Sequence, residues 1–317
     1  MYHLHYKAFL KAWGLSHAIY KEEAFFLLWK NKLRFSVVSL LSAVDSTEWF
    51  SQLSTSTWIQ PVLERIPVLA FKPMRAYLST EWDFSRRKKV IWDSYELLRR
   101  YPVCWSTLLS TEGTELARFE AENHGKWCVI LRDCHHSTSK EGEVMVILRN
   151  CASRRDLFKT IFSFEKVADG SFNCYIGCIQ GMSADSRDEI KAITKAMHGL
   201  RPTSLMIFVV REIIAAMGIE IKSLLGSGNQ IHPFKKKHLI HLPFVHQINF
   251  NYDALWEDAG GVPAADGWFR LPVTQAHRKS NEIKSKKKML YQRRYALMDD
   301  MAKQIRDAVR GDALSGS

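Results

Sequence analysis

The decisive stretch of this chain starts with the apolar run Cys174-Tyr175-Ile176-Gly177-Cys178-Ile179-Gln180-Gly181. Such a run predicts a buried β-strand, and the final glycine predicts its end. A periodic polar segment, a strongly apolar helix and a second strand follow, and that strand ends in Gly226-Ser227-Gly228-Asn229-Gln230-Ile231-His232. In α/β proteins a ligand usually binds at the strand ends of such a strand–helix–strand unit. We therefore expect a binding site in this stretch.

The chain is expected to be an α+β protein in three parts. Residues 1–112 are predicted to be mainly helical, because apolar side chains recur at helical spacing in 24–29 and 90–98. Runs rich in β-branched residues from Leu116 onward predict a mixed, mostly antiparallel sheet. Within it, residues 125–180 are expected to form a four-stranded meander with a hairpin turn at Asp169-Gly170. An α/β domain over 113–275 and a basic C-terminal helix with a frayed tail over 276–317 complete the division.

The α/β part is expected to contain two consecutive helices. Gly199 is predicted to end the first helix, and Thr203 or Ser204 is predicted to cap the second. The second helix is apolar nearly all round, which predicts deep burial. Gly218 is a suitable C-cap before a strand over residues 219–225.

The formal net charge of +12 is high for a chain of 317 residues. It indicates an anionic partner (a phosphate-bearing cofactor, nucleic acid or a membrane surface) or only a basic surface. The N-terminus lacks the layout of a signal peptide, and no apolar run reaches 18 residues. We therefore expect a cytoplasmic protein that could also lie peripherally against the inner membrane. Its six cysteines include no C-x-x-C pair, so we expect reduced core cysteines and no metal site.

Arg201 is the first candidate for ligand binding. It stands at the entry to the buried helix, next to Thr203 and Ser204. An arginine beside a helix N-terminus suits a phosphate or a carboxylate, through the helix dipole and paired hydrogen bonds. The alternative is that Arg201 pairs with an acidic residue on a neighbouring element.

The candidates for proton transfer are two histidines and two carboxylates. Asn229 and His232 follow a predicted buried strand and could approach an anion or a carbonyl group, although an ordinary loop is the equal alternative. The presence of His198 says little about whether it is a general base, because a free histidine in solution already titrates near neutrality. Asp253 and Glu257 stand among aromatic residues and could supply an acid or a base, but a surface loop explains them equally well.

A helix predicted over residues 282–309 carries a run of cations. Lys284, Lys286, Lys287 and Lys288 could contact an anionic membrane surface, although most charge runs are only solvated faces. No signature of a DNA-binding fold accompanies them, so we do not expect a nucleic-acid partner.

Several segments resemble the VirK/YbjX family of bacterial proteins, closely after residue 170 and loosely before residue 110. Among the carrying segments are Ile176-Gly177-Cys178-Ile179-Gln180-Gly181, Lys195-Ala196-Met197-His198-Gly199-Leu200-Arg201-Pro202, Gly267-Trp268-Phe269-Arg270-Leu271-Pro272 and Arg293-Arg294-Tyr295-Ala296-Leu297. The resemblance implies a Gram-negative bacterial protein connected with virulence, envelope integrity and resistance to antimicrobial peptides. No catalytic residue comes with it.

The order of elements is also distantly similar to that of the GCN5-related N-acyltransferase (GNAT) fold, in which a meander precedes a buried helix and another strand. That fold holds its cofactor pyrophosphate on backbone amides at the start of this helix. Gln180-Gly181 and residues 201–204 occupy comparable places here. The family's R/Q-x-x-G-x-G/A motif is missing, and an additional helix separates the strand from the buried helix. The similarity implies acyl-CoA as the donor, but these two departures leave an aminoacyl or other activated donor, or no donor, as alternatives.

The leading hypothesis is the transfer of an acyl or aminoacyl group to an amine or hydroxyl on a small-molecule or envelope-related acceptor. Arg201 and the helix start would hold the donor. His232 or His198 would accept a proton, Asn229 would stabilise the oxyanion, and Asp253 or Glu257 would orient the acceptor. The alternative is a non-catalytic basic protein that binds an anionic membrane surface or an acidic partner.

Overall fold

The structure is a computed structural model that describes residues 2–20, 25–121, 124–134, 138–181, 187–235, 250–274 and 287–311. The first part of the chain is helical, as predicted. Its helices are α1 (Tyr2–Tyr20), α2 (Phe25–Leu41), α3 (Ala43–Thr55), α4 (Gln60–Arg65), α5 (Phe84–Leu98) and α6 (Pro102–Leu109), with a 3₁₀ segment at Pro67–Met74.

Prolines and one aspartate explain where several of these helices begin. Pro61, Pro67 and Pro102 stand in first turns, where the missing N–H is not needed. Asp83 caps α5, because its Oδ1 accepts a hydrogen bond from the backbone N–H of Arg86 at 2.8 Å. These three prolines therefore mark helix starts, whereas Pro73 lies inside the 3₁₀ segment.

The described residues form one sheet of eight strands. The strands are β1 (Thr114–Ala121), β2 (Gly125–Asp133), β3 (Val144–Asn150), β4 (Asp156–Lys166), β5 (Phe172–Gly181), β6 (Ile221–Ser227), β7 (Val262–Pro263) and β8 (Trp268–Leu271). Their order is β1-β2-β3-β4-β5-β6-β8-β7, and among these neighbours β5 and β6 alone run parallel. The α+β class and the mostly antiparallel sheet are confirmed. The predicted four-strand meander was too short, since β1 also pairs with β2.

Four further helices follow the meander: α7 (Arg187–Ala196), α8 (Pro202–Met217), α9 (Tyr252–Asp258) and α10 (Lys288–Arg310). α8 packs on β3, β4 and β5, and α10 packs on α8 and β1. The predicted burial of α8 and its C-cap are confirmed, since Gly218 adopts φ of 64°. The crossover from β5 to β6 thus runs through a core helix.

Two boundary predictions need correction. α8 begins at Pro202 with Arg201 as the N-cap, because the fixed φ of proline suits a first helical position. Thr203 and Ser204 therefore lie in the first turn of α8 and do not cap it. Residues 251–258 contain helix α9, which starts where Asn251 Oδ1 accepts from the Ala254 N–H at 3.3 Å. The predicted start of the C-terminal helix at Glu282 lies outside the described residues.

A fully buried ion pair ties the N-terminal region to the sheet. Lys72 Nζ lies 2.6 Å from Glu143 Oε2, and both side chains are 0% exposed. The ammonium also lies 3.5 Å from the carbonyl oxygens of Cys134 and Gly142. Charged side chains that are buried away from water require such partners. This pair therefore fixes where the 3₁₀ segment meets the start of β3.

Replacing Lys72 by alanine is therefore expected to destabilise the fold by about 3–5 kcal/mol, because Glu143 would remain buried without its counter-ion. The free energy of unfolding from urea denaturation measures this. Lys222→Ala is the matched control, since Lys222 pairs with Asp169 at 2.8 Å on the surface. Equal effects of the two substitutions would contradict the structural role of the buried pair.

Candidate functional site

A buried polar cluster lies at the carboxyl ends of the parallel strands. Gln180 belongs to the end of β5, His232 follows the turn after β6, Tyr252 starts α9, and Glu141 precedes β3. Gln180 Nε2 donates to Glu141 Oε1 at 2.8 Å and lies 3.1 Å from Tyr252 Oη. We call these four residues the buried polar cluster. The strand ends of a crossover unit are where α/β folds usually place ligands, so its location agrees with the sequence-based expectation.

The hydrogen bonds of His232 define its tautomer. The side chain is 1% exposed, and Nε2 lies 3.0 Å from the carbonyl oxygen of Gly177. A carbonyl oxygen only accepts, so Nε2 carries the hydrogen and Nδ1 the lone pair. Nδ1 meets the Phe234 N–H at a long 3.4 Å. Nδ1 is therefore the nitrogen of the neutral ring that can take up a proton.

Glu141 stands beside this imidazole. Its Oε1 lies 3.6 Å from His232 Nε2, and burial raises the pKa of the Glu141 carboxyl to about 7. The sequence-based reasoning missed Glu141, although two carboxylates around Gly142 just before an apolar strand were a usable signal. A carboxyl and an imidazole in contact near neutrality can hold and pass a proton.

Two other members of this neighbourhood are held neutral. Burial raises the pKa of the Tyr252 hydroxyl, so it remains a phenol. Burial is the main cause that raises the pKa of the Cys178 thiol well above its ordinary value, and the charge of the nearby Glu141 is the second cause. A thiol in this state is a poor nucleophile, so Cys178 acts as a core residue.

Two aromatic rings stack on the imidazole. Tyr252 stacks on His232 with ring centres 4.6 Å apart, and Phe234 stacks at 5.9 Å. The Lys140 ammonium lies 5.1 Å from the Phe234 ring centre. Burial and the nearby positive charges of Arg75 and Arg34 lower the pKa of Lys140 to about 8. Phe234 and Lys140 are only half-buried, so this side of the ring lies nearest to solvent.

Gly177 makes the cluster possible. A Cβ at this position would lie 1.9 Å from the carbonyl oxygen of Glu141, well inside contact distance. Any side chain would therefore push the Glu141 backbone away from β5 and His232. The glycine of the opening sequence motif is thus a requirement for close approach of two backbones.

Asn229 and Asp253 hold the turn after β6 against α9. The Asn229 N–H donates to Asp253 Oδ1 at 2.6 Å, and Asn229 Oδ1 accepts from the Tyr252 N–H at 3.1 Å. Asn229 Nδ2 donates to Asn251 Oδ1 at 2.7 Å. These contacts position Tyr252 over His232. That Asn229 stabilises an oxyanion and that Asp253 orients the acceptor substrate both stay predictions.

The start of α8 lies between two clefts. One, of about 500 Å³, is lined mainly by apolar groups together with Lys191, Lys195, Arg201 and Thr203. The other, of about 260 Å³, includes Thr203, Ser204, Phe250 and Asn251. Arg201 forms an ion pair with Asp258, in line with the alternative that it pairs with an acidic residue on a neighbouring element. The two side chains are nevertheless 66% and 67% exposed. Its guanidinium is therefore accessible.

The remaining candidates lie elsewhere. His198 ends the turn after α7 with φ of 53°, and its carbonyl oxygen accepts hydrogen bonds from Arg294 at 2.8 and 3.0 Å. Glu257 is exposed on α9, and Gly181 ends β5 beside Phe158. The structure thus brings His232 and Gln180 together in the cluster and places Arg201, Thr203 and Ser204 at the clefts.

The basic C-terminal run is only partly described. Lys287 and Lys288 are exposed at the start of α10, whereas Lys284 and Lys286 lie outside the described residues. Within the described parts of the chain no helix is long and apolar enough to cross a membrane. The same parts contain no group of three or more His, Cys, Asp or Glu able to hold a metal ion.

Comparison with known proteins gives the family. Residues 27–307 match the family model described as "Protein of unknown function (DUF535)", so the chain belongs to this family. It is 28% identical over 283 residues to "Uncharacterized protein YbjX" of Escherichia coli (strain K12), across 88% of this chain and 83% of that protein. The VirK/YbjX resemblance is thereby confirmed.

Relatives also occur in Haemophilus influenzae (strain ATCC 51907 / DSM 11121 / KW20 / Rd). One uncharacterized protein is 28% identical over 207 residues, which cover 61% of this chain and 68% of that protein. Another is 32% identical over 148 residues, 46% of each. No solved structure gives a significant match. These descriptions assign no activity, so function must be argued from the site.

Glu141 makes a pH-dependent contribution to stability. Its folded-state pKa of about 7 lies above its ordinary value of 4.5, so the stabilisation is complete below pH 4.5 and is lost as the pH rises through 7. The loss should be on the order of 3 kcal/mol. Glu141→Gln is expected to remove this dependence, measured as unfolding free energy at pH 5 and pH 8. Exposed Glu257→Gln is the control; a Glu141→Gln protein as pH-sensitive as the parent would refute the assignment.

Proposed function

We propose that this protein transfers an acyl or aminoacyl group from an anionic activated donor to an amine or hydroxyl. The observation that carries the proposal is the buried His232–Glu141 contact at the carboxyl ends of β5 and β6. A base with a carboxylate beside it, which can stabilise the protonated base, is an arrangement that can remove a proton from an attacking nucleophile. Burial raises the pKa of the Glu141 carboxyl to about 7, which is a useful range for proton transfer near neutrality.

The fold supports this reading. A meander leads through the buried helix α8 to a parallel strand, and we compare this order with that of the GNAT fold. That fold binds a pyrophosphate at the start of the corresponding helix. Here Thr203 and Ser204 lie in the first turn of α8. The larger cleft, which we propose as the donor cleft, adds three cations, those of Lys191, Lys195 and Arg201. A helix start with added positive charge favours an anionic donor.

The base would be His232. With Nε2–H fixed on Gly177 O, Nδ1 takes the proton of the amine or hydroxyl as that group attacks the acyl carbon. The bond from nucleophile to acyl carbon forms, and the bond to the donor's leaving group breaks. The leaving group keeps the electron pair. The Glu141 carboxylate, 3.6 Å from Nε2, stabilises the imidazolium that results.

The two halves of the site would meet at Tyr252. Its ring centre lies 4.6 Å from that of His232 and 5.0 Å from that of Phe250. Phe250 lines the smaller cleft at the start of α8, which shares Thr203 with the larger cleft of Arg201. The acceptor would approach Nδ1 from the side of Phe234 and Lys140. A small-molecule or envelope-related acceptor remains the proposed class.

Donor binding is tested with Arg201→Ala. Isothermal titration with acyl-CoA, free CoA and inorganic pyrophosphate is expected to give binding to the parent protein that weakens about tenfold in the variant, through loss of paired hydrogen bonds. Arg118→Ala is the matched control, because Arg118 forms an exposed ion pair with Glu115 on the edge strand β1. Equal affinities of both variants would remove Arg201 from the proposal.

The catalytic assignment is tested with His232→Asn and Glu141→Gln. Release of the donor's leaving group in the presence of pooled amine and hydroxyl acceptors should fall by at least about a hundredfold for His232→Asn. Glu141→Gln should lower the rate less and should flatten its pH dependence near pH 7. Exposed His124→Asn serves as the control. Undiminished release by a folded His232→Asn protein would show that another group is the base.

A further inference from the structure

α2 exposes an apolar stripe along its length. Its exposed members are Phe26, Trp29, Leu33, Val37, Leu40 and Leu41. The first five follow one another at spacings of three or four residues, and Leu41 stands four residues after Val37, which puts these side chains on one face of the helix. Soluble proteins leave single apolar residues exposed, but a row of this length indicates a surface that something covers. We call it the α2 apolar stripe.

α1 repeats the pattern beside it. The two helices pack against each other, and α1 exposes Tyr6 and Leu10, which are one helical turn apart. Trp29 and Tyr6 have the amphipathic rings that collect at membrane–water interfaces.

The charges of these helices select the partner. Each of four exposed cations directly follows an exposed apolar residue: Lys7, Lys11, Lys30 and Arg34. The described sequences of α1 and α2 contain neither Asp nor Glu; Glu22 and Glu23, between them, lie outside the described residues. A Lys or Arg next to an apolar residue can keep its charged group in the headgroup layer while the aliphatic part of its side chain lies along the lipid acyl chains.

We infer that the α1–α2 pair docks on an anionic bilayer surface, with the α2 apolar stripe in the interface and the four cations among the lipid phosphates. A second copy of the chain fits this surface poorly, because it would bring four more positive charges against the first four. Since no described helix can span a bilayer, the helices lie in the plane of the surface. This inference is independent of the proposed transfer reaction.

The test is co-sedimentation of the full chain with vesicles of phosphatidylcholine containing 30% phosphatidylglycerol, or of phosphatidylcholine alone, at roughly 50 and 500 mM salt. The triple variant Phe26→Ser, Leu33→Ser, Leu41→Ser removes side chains that are 74%, 58% and 78% exposed. The matched control is Val262→Ser with Met289→Ser, two residues each 64% exposed on other elements. Circular dichroism melting checks that each variant folds.

The parent and the control are expected to bind the anionic vesicles, and the triple variant to bind at least about tenfold more weakly. Lys30→Gln with Arg34→Gln should weaken binding at low salt, whereas Lys287→Gln with Lys288→Gln, in the C-terminal basic run, should not. The inference is overturned if the parent ignores anionic vesicles or if the triple variant binds like the parent. A dimer in analytical ultracentrifugation that the triple variant disperses, without vesicle binding, would identify a second copy as the occupant instead.

Discussion

The structure depends on a three-residue segment that buries two carboxylates on either side of one glycine. Glu143 meets the ammonium of Lys72 at 2.6 Å, while Glu141 lies against His232. A Cβ on Gly142 would approach the carbonyl oxygen of Phe162 to 2.8 Å, so the segment can press on β4 only with glycine there. Burying a carboxylate is unfavourable without a partner. The partners of these two groups consequently fix how the helical region, the meander and the strand ends fit together.

The N-terminal region is part of the site rather than an appendage. The Leu78 N–H donates to the carbonyl oxygen of Lys140 at 2.8 Å, and Ser227 Oγ donates to the carbonyl oxygen of Leu78 at 3.1 Å. The Thr80 N–H donates to the carbonyl oxygen of Ile231 at 2.8 Å. A short segment after the 3₁₀ helix therefore braces both the Glu141 side and the His232 side of the buried polar cluster. The geometry of the proposed base is set from both halves of the chain.

Local patterns in the sequence were sufficient for most elements. The apolar, β-branched-rich runs of β2 to β5, the apolar helix α8 and its end at Gly218 follow from rules that act over a few residues. The start of α8 was misplaced, because Pro202 competes with the capping preference of Thr203 and Ser204. His232, Arg201 and Gln180 were found as candidates from their places at element ends. Glu141 was not: the two carboxylates around Gly142 are a local signal, but the pairing of Glu141 with His232 depends on long-range packing and on the space that Gly177 leaves.

The aromatic cover of His232 also limits how the ring can move. Tyr252 and Phe234 both stack on it, so rotation about Cβ–Cγ needs a transient separation of the stacked rings. In dense packing such a separation requires that the structure open locally. The two ring nitrogens therefore keep their positions between such openings. Because α9 carries Tyr252, a displacement of α9 would change the mobility of the imidazole directly.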